Sequence, residues 1–266
     1  MCCDDTLMKS WNKEFGKSAV ITYDNSALEL LEVDMVRLGV GDVKSYNEQD
    51  KEYGIVILGG KCSIVGEGFK FANIGKRKNV FDGAATCVYV PCNRPFKITG
   101  VKDCSIAVCK SPAEEPFEPV LVKPEDVVIK DLGKPGWQRQ AHFILDERVK
   151  ANLIYIGEAY VEGGQWASYP PHKHDDDNMP TEGQQEEIYY YEFDKPSGFG
   201  IQRVYTKEGE INETYTVKSG DFVEIPRGYH PFCCAPGYQN YYLWIMAGPN
   251  RGFHMTTEEG HKWLNK

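Results

Sequence analysis

Short runs of β-branched and aromatic residues, separated by turn residues, form the dominant pattern along this chain. Gly, Pro, Asn or Asp interrupt the runs at regular intervals, which is typical of strands joined by tight turns. Evenly spaced short strands of this kind indicate β-sandwiches or barrels. The sequence therefore predicts an all-β protein with few helices, which include residues 26–33 ("SALELLEV") and the segment "EEGHKWLNK". The runs include "YGIVIL", "KCSIVG", "TCVYVP", "PFKITG", "CSIAVC", "EIYYYEF", "GIQRVYT", "TYTVKSGDFVEIP" and "YYLWIM".

The strand-rich pattern is divided into two halves. Residues 110–140 carry five prolines and many charges, which favours a linker that crosses the surface. The stretch "CVYVPCNRPF" before it resembles "FVEIPRGYHPF" after it, with Pro91 matching Pro226, and only the second copy holds a histidine, His230. We therefore expect two barrels: residues 1–125 without metal ligands, and residues 126–266 with a histidine site.

Charge and composition limit the partners. The chain has 266 residues, a net charge of −9 and a pI near 5.3, which argues against nucleic acid or an anionic membrane surface as a partner. No apolar run approaches the ~20 residues of a membrane helix, and the start lacks the apolar region of a signal peptide. Nine cysteines without an export signal indicate buried thiols in a reducing compartment. We expect a cytoplasmic protein.

The candidate chemistry lies in the second half. His172 and His174 are one residue apart in "PHKH", so in an extended segment both side chains point to the same face while Lys173 points away. Glu187 begins the strand "EIYYYEF", and His230 follows a strand that a Pro-x-Gly turn ends. Three imidazoles and one carboxylate suit Zn²⁺, Fe²⁺, Mn²⁺, Ni²⁺ or Co²⁺. The sequence thus predicts one divalent transition metal, with Zn²⁺ slightly favoured.

Each part of this site has a simpler interpretation. Isolated histidines are usually structural or exposed, which is how we interpret His142, His254 and His261. Strand alternation says only that one of Glu186 and Glu187 faces inward, and Glu187 lies nearer the aromatic run. The acidic residues 175–177 belong to a long polar stretch, which favours a solvated loop over a cation site.

The second half resembles the 5-deoxy-glucuronate isomerase family of myo-inositol catabolism, within the cupin superfamily. The resemblance rests on "YPPHKHD", "EEIYYYEF", "GFGIQRVYT", "GDFVEIPRGYHPFCCAPGYQNYYLWIMAGP" and "HKWL", with "GKRKNVFDG" and "VYVPCNRPF" in the first half. It implies a bicupin, meaning two cupin (double-stranded β-helix, or jelly-roll) barrels in one chain. It also implies conversion of 5-deoxy-D-glucuronate to 5-dehydro-2-deoxy-D-gluconate, an aldose–ketose isomerisation.

The implied reaction assigns roles to further residues. A divalent metal polarises the sugar carbonyl, a base moves the proton through an enediol(ate), and no redox change is needed. The candidate base is a metal-bound hydroxide, Glu187 exchanging off the metal, or a lumen tyrosine. Arg203 is the candidate for the substrate carboxylate because a guanidinium matches it bidentately, with a surface ion pair as its alternative. Gln202 and Tyr242 are candidates for hydroxyl contacts.

Two other functions use the same residues. An Fe²⁺ dioxygenase is one, because three histidines and a glutamate also serve that chemistry. A non-catalytic cupin that binds sugar acids is the other, although no basic helical module of a DNA-binding regulator is present. We expect a homo-oligomer acting on a small sugar acid. The metal, the base, the subunit number and the substrate stereochemistry stay open at this point.

Overall fold

The computed structural model describes residues 6–265, which form 21 β-strands and two 3₁₀ helices, at Pro124–Asp126 and Glu259–Asn265. The predicted all-β architecture is confirmed. The strands are β1 (Met8–Ser10), β2 (Gly16–Ile21), β3 (Glu32–Leu38), β4 (Val43–Tyr46), β5 (Lys51–Gly66), β6 (Phe69–Ile74), β7 (Thr86–Val90), β8 (Phe96–Pro112), β9 (Val120–Val122), β10 (Val128–Leu132), β11 (Arg139–Leu145), β12 (Ile154–Glu162), β13 (Trp166–Ala167), β14 (His172–Lys173), β15 (Glu186–Phe193), β16 (Gly200–Tyr205), β17 (Asn212–Val217), β18 (Asp221–Ile225), β19 (Phe232–Cys234), β20 (Gln239–Ala247) and β21 (Thr256–Thr257).

The two halves repeat one strand order. The first sheet runs β2-β3-β8-β5-β7-β9, and the large sheet of the second half runs β10-β11-β12-β20-β15-β18-β1. The strands that carry the repeated "VYVP" and "VEIP" sequences, β7 and β18, occupy equivalent places near one edge. That edge is completed by β9 in the first half and by β1 in the second, so the chain start belongs to the second sheet.

Two expectations about local structure were wrong. Residues 26–31 form a loop instead of a helix, because the Ala27 and Leu30 amides donate to carboxylates of the second half, Glu224 and Glu186, and strand β3 follows at once. The stretch 110–140 is also more than a linker. Its apolar segments form β9, which pairs with β7, and β10, which pairs with β11.

Three apolar cores fill the molecule. One lies within the first half, and one lies in the second half between the large sheet and the small sheet β13-β19-β16-β17. The third joins the halves. Strand β15 shows the alternation that the sequence predicts: Tyr189 and Tyr191 belong to the second-half core, whereas Ile188 and Tyr190 belong to the core between the halves.

The cysteines contribute to these cores as free thiols. Seven of the nine lie among the described residues, and all of those except Cys233 are buried. Burial raises the pKa of the Cys87 thiol to about 12, which keeps it protonated. Cys2 and Cys3 lie outside the described residues. Among residues 6–265, no helix is long and apolar enough to cross a membrane.

A buried ion pair joins the two halves. Arg77 of the first half donates from Nη1 to both carboxylate oxygens of Glu158 in β12, each at 3.0 Å, and from Nε to the Ile57 carbonyl. Both side chains are almost completely buried. Burial alone raises the pKa of Glu158, but the Arg77 charge and His142 outweigh burial, so this pKa lies below its usual value. The pair therefore contributes stability above the unfolded-state pKa that is lost as pH falls through the folded-state pKa.

We expect Arg77→Met to lower the free energy of unfolding by about 3–5 kcal/mol, because it leaves the Glu158 carboxylate buried without its partner. Urea unfolding at pH 7 measures the change. Arg77→Met combined with Glu158→Gln should recover part of the loss. The control is Lys76→Met, which removes an exposed ion pair to Glu125 and should have no measurable effect. If Arg77→Met and Lys76→Met lowered the free energy of unfolding equally, this role of the buried pair would be contradicted.

Candidate metal centre

Three histidines and a glutamate from distant parts of the chain lie together in the second half. His172, His174 and Glu187 line one pocket, and His230 lies beside Glu187. His172 lies in β14, which pairs with β21 near the C-terminus, and His174 follows directly. Glu187 lies in β15, opposite Met246 of β20 and Ile225 of β18. His230 lies in the turn between β18 and β19. All four side chains are buried.

The donor atoms lie close together. His174 Nε2 lies 3.1 Å from Glu187 Oε2, and His230 Nε2 lies 3.2 Å from the same oxygen. Ligand atoms of these three residues lie within 4.8 Å of one another, as a single metal ion requires. The His172 ring lies next to them, with its centroid 4.9 Å from that of His230 and 6.4 Å from that of His174.

Backbone carbonyls fix the orientation of the three imidazoles. The Nδ1 atoms of His172, His174 and His230 lie 3.3, 2.9 and 3.0 Å from the carbonyl oxygens of Pro170, Gln185 and Gly228, respectively. A carbonyl only accepts, so Nδ1 carries the proton and Nε2 keeps its lone pair. This arrangement is the usual one for histidines that bind a metal through Nε2.

Burial keeps two of the three rings neutral. It lowers the pKa of His172 well below its usual value, with the His230 charge adding to the effect, and it lowers the pKa of His230 to about 4. The pKa of His174 is raised, because its hydrogen bond to Glu187 outweighs burial. A metal ion needs neutral imidazoles and an ionised carboxylate, so it would compete with a proton for Nε2 of His174.

The donor set fits a divalent metal. His230 Nε2 is buried and makes no hydrogen bond within the described residues, although Glu187 is near. A buried polar atom without a partner is costly, and a cation at this position would satisfy it. Three neutral nitrogens and one carboxylate oxygen match the ligands of Zn²⁺ and of the other late first-row metals.

The two adjacent glutamates do different work. The carboxylate of Glu187 faces the histidines, whereas that of Glu186 accepts hydrogen bonds from the Glu29 and Leu30 amides of the first half, at 3.0 and 2.7 Å. Strand alternation sends their side chains to opposite faces of β15. Of the two, only Glu187 is therefore placed to bind a metal.

A glycine turn places His230. Gly228 has φ +93°, and a Cβ there would lie 2.4 Å from the Tyr205 carbonyl oxygen, so a side chain does not fit. The Gly228 amide donates to Asp175, next to His174, at 2.6 Å. This hydrogen bond ties the segment of His230 to the segment that carries the other two histidines.

The acidic residues near His174 are satisfied by a lysine. Asp175, Asp176 and Glu182 all accept hydrogen bonds from Lys173 Nζ, which points away from the pocket as the alternation predicts. These carboxylates lie close enough together to be considered as a cation site. The lysine charge already occupies their centre, so we assign them a structural role.

The pocket beside the candidate metal ligands is narrow, and serine and tyrosine hydroxyls form part of its wall. Its walls include Ser168, Tyr189 and Tyr242, with Phe253 and Met255 near the C-terminus, and it encloses about 20 Å³, room for about one water molecule. Ser168 Oγ and the Tyr189 hydroxyl lie 2.6 Å apart. Burial raises the pKa of Tyr189 well above its usual value and that of Tyr242 to about 12, so both hydroxyls remain protonated donors at neutral pH.

Of the three residues expected to bind substrate, one lines this pocket. Tyr242 does so. Gln202 is fully buried elsewhere, where its amide donates to the His230 carbonyl at 2.8 Å and accepts from Tyr191 at 2.6 Å. Arg203 faces outward and stacks on the Tyr205 ring at 4.0 Å. The expectation that Arg203 reaches the substrate is therefore corrected: it occupies the outer face of β16.

The sequence interpretation missed Arg139. This residue begins β11 and lines the same pocket as His172, His174 and Glu187. The available signal was the alternation of β11, which puts Arg139 on the same face as Ala141 and Phe143. Both of these apolar residues belong to the second-half core.

Comparison with known proteins agrees over almost the whole chain. The profile of the KduI/IolB family matches residues 6–264. A 5-deoxy-glucuronate isomerase from Bacillus subtilis strain 168 is 41% identical over 248 residues, which are 92% of this chain and 91% of that protein. A 5-deoxy-glucuronate isomerase from Shouchella clausii is 37% identical over 264 residues, 97% of each chain.

Solved structures show the same fold. The crystal structure of an IolB-like protein from Salmonella typhimurium LT2 has a TM-score of 0.94 and 34% identity, covering 98% of this chain and all of that one. An oxalate decarboxylase from Lactobacillus farciminis has a TM-score of 0.70 at 13% identity, covering 98% and 90%. The second likeness concerns the fold alone, and the predicted pair of cupin barrels agrees with both.

We expect the purified protein to bind about one divalent metal per chain, and His230→Ala or Glu187→Gln to lower the affinity at least 10-fold by removing a ligand. Elemental analysis and metal titration of the apoprotein provide the measurement. Bound metal stabilises only the folded state, so adding Zn²⁺ should raise the melting temperature of the wild type but not of these variants.

Two control variants separate the site from its surroundings. Glu186→Gln removes the adjacent carboxylate, and His261→Ala removes a histidine that pairs with Glu258. Both should retain the wild-type metal content. Metal loss in Glu186→Gln together with full retention in Glu187→Gln would reverse the assignment of the two glutamates.

Proposed function

The chain belongs to the KduI/IolB family, and from this premise we propose that it is a 5-deoxy-glucuronate isomerase. It converts 5-deoxy-D-glucuronate to 5-dehydro-2-deoxy-D-gluconate, an aldose–ketose isomerisation. The observation that carries the proposal is the identity of about 40% with isomerases of that name over more than nine-tenths of the chain. The pocket lined by His172, His174 and Glu187, with His230 next to Glu187, supplies groups suited to this chemistry.

The reaction moves one proton between neighbouring carbons, and the pocket residues divide the work. His172, His174, Glu187 and His230 would hold one divalent metal, for which we favour Zn²⁺. When bound, the metal supplies a Lewis acid that polarises the sugar carbonyl and acidifies the adjacent C–H. Glu187 is the only carboxylate among the described residues that line the pocket, so it is our candidate base. The protonated hydroxyls of Tyr189 and Tyr242 donate hydrogen bonds to sugar oxygens.

We assign the halves different roles. We propose residues 1–125 as the cupin domain without metal ligands, except that β1 completes the sheet of the second half, and residues 126–266 as the metal-binding domain. The first domain supports the second through the shared core and the Arg77–Glu158 pair. The seven described cysteines are free thiols, which supports a cytoplasmic location.

We also propose a homo-oligomer. Exposed aromatic side chains on the second half support it: Trp166 is 40% and Trp263 is 65% exposed, and Trp166 contacts the Tyr169 ring. Exposed aromatic patches are typical of protein interfaces. Sedimentation velocity distinguishes this state from a monomer.

Metal-replete protein incubated with 5-deoxy-D-glucuronate should produce the ketose, which NMR detects directly. Turnover in D₂O should place deuterium on the product carbon that receives the proton, because the proton exchanges with solvent at the base. The double variant His172→Ala/His174→Ala should lose both metal and turnover.

The same assay separates the alternatives. Equal rates in air and under argon are expected for an isomerase, whereas a dioxygenase would stop without O₂. Binding of the sugar acid without any turnover would indicate a non-catalytic binding protein. Full activity in the double histidine variant would contradict the assigned site.

We expect Tyr242→Phe to lower kcat/KM about 2- to 10-fold, since it removes one hydrogen bond to the substrate and leaves the ring in place. Steady-state kinetics and metal analysis check this together, because the variant should keep its full metal content. Tyr205→Phe is the matched control, since that hydroxyl donates to Glu258 outside the pocket. The same loss in both variants would indicate a general structural effect.

A further inference from the structure

Arg139 lines the pocket from β11. Of the sheet strands that contribute to the pocket wall, β11 lies farthest from the strand of Glu187. The strand order β15-β20-β12-β11 leaves two strands between their backbones, roughly 14 Å along the sheet. Ala141 pairs with Ala159, and Ala159 pairs with Tyr242. These two small side chains lie between Arg139 and the centre of the sheet, so the long arginine side chain has room to extend over them.

The guanidinium of Arg139 differs from those of the other arginines because it has no hydrogen-bond partner within the described part of the chain. The other seven arginines of the sequence each hydrogen-bond to a carbonyl, carboxylate or amide oxygen. Within residues 6–265, Arg139 makes neither a hydrogen bond nor an ion pair, although its side chain is partly buried. None of its nitrogens is buried without a partner, so the guanidinium remains in contact with solvent and its N–H donors are available to an anion that arrives from outside the chain.

Arg139 also brings a permanent positive charge to the pocket. None of the other described residues that line it is a lysine or arginine. Its charge opposes the burial that raises the pKa of Tyr242, and it adds to the burial that lowers the pKa of His172. The whole chain carries a net charge of −9, so an anionic substrate needs a local cation of this kind.

We propose that Arg139 binds the carboxylate of the substrate and so orients its carbonyl end toward the histidines and Glu187. This inference rests on the proposed function, because the sugar acid carries its carboxylate at the end of the carbon chain opposite the aldehyde. A planar guanidinium binds a carboxylate through two parallel hydrogen bonds, which fixes direction as well as position. Arg139 is therefore a specificity-determining residue, and Arg203 on the outer face is not.

The test compares Arg139→Gln with the wild type on two substrates: 5-deoxy-D-glucuronate and the uncharged analogue in which a primary alcohol replaces the carboxylate. Losing a charge-assisted hydrogen bond should raise KM for the acid about 10- to 100-fold. KM for the uncharged analogue should stay at the wild-type value. Arg139→Lys should recover part of the affinity, because a point charge remains without the fork. Metal content should be unchanged in both variants.

Two further arginine variants serve as comparisons. Arg94→Gln removes the same charge from the first half and should leave both KM values unchanged. Arg203→Gln tests the other candidate arginine. If KM for the acid rises selectively in this variant and does not rise in Arg139→Gln, the proposal is overturned. An equal rise in KM for both substrates in Arg139→Gln also overturns the proposal.

Calorimetric binding of 5-deoxy-D-glucuronate separates this inference from the proposed function. Turnover by the wild type with unchanged binding in Arg139→Gln leaves the isomerase standing and removes the role of Arg139. Binding that depends on Arg139 without any turnover keeps the anion site and removes the isomerase. If the wild type neither binds nor converts the acid, both proposals fail.

Discussion

Three contacts between imidazole Nδ1 atoms and backbone carbonyls are the constraint on which the candidate metal centre depends. Each carbonyl fixes a ring orientation, so Nε2 of His174 and Nε2 of His230 lie close to the carboxylate of Glu187, with the His172 ring beside them. The carbonyls belong to backbone that the fold already holds. The glycine turn before His230 and the hydrogen bond from that turn to Asp175 set their positions. The backbone geometry of these segments therefore determines where the candidate ligand atoms lie.

Buried carboxylates perform a different task elsewhere in the molecule, where they join the halves. Glu52 of the first half accepts hydrogen bonds from the amides of Asn152, Leu153 and Ile154 at the start of β12, each at 2.7 or 2.8 Å. Glu186 and Glu224 bind the 26–31 loop in the opposite direction. The half without histidines thus supports the half that has them. Amides surround the carboxylate of Glu52, whereas imidazoles surround that of Glu187, and only the second arrangement suits a cation.

Much of this arrangement was predictable from alternation alone. The strands, the inward face of β15 and the placement of His172 and His174 follow from a period of two in an extended chain. Alternation within one strand does not tell which of its two faces is turned toward the pocket. The facing of Glu186, Gln202 and Arg203 therefore became clear only from the neighbouring elements. Arg139 was missed because a charged residue among apolar neighbours of β11 was read as part of a linker. The 26–33 helix was wrong because carboxylates from the other half bind the amides of that loop.

The pairing of β1 with β18 has a consequence for biosynthesis. Ser10 lies opposite Asp221, and 211 residues separate them in the chain. At translation rates of roughly 5–20 residues per second, β18 is synthesised about 10–40 s after β1. The newly made N-terminal segment stays without its β-sheet neighbour throughout that interval. Closure of the catalytic barrel is therefore among the last events in the maturation of the polypeptide on the ribosome.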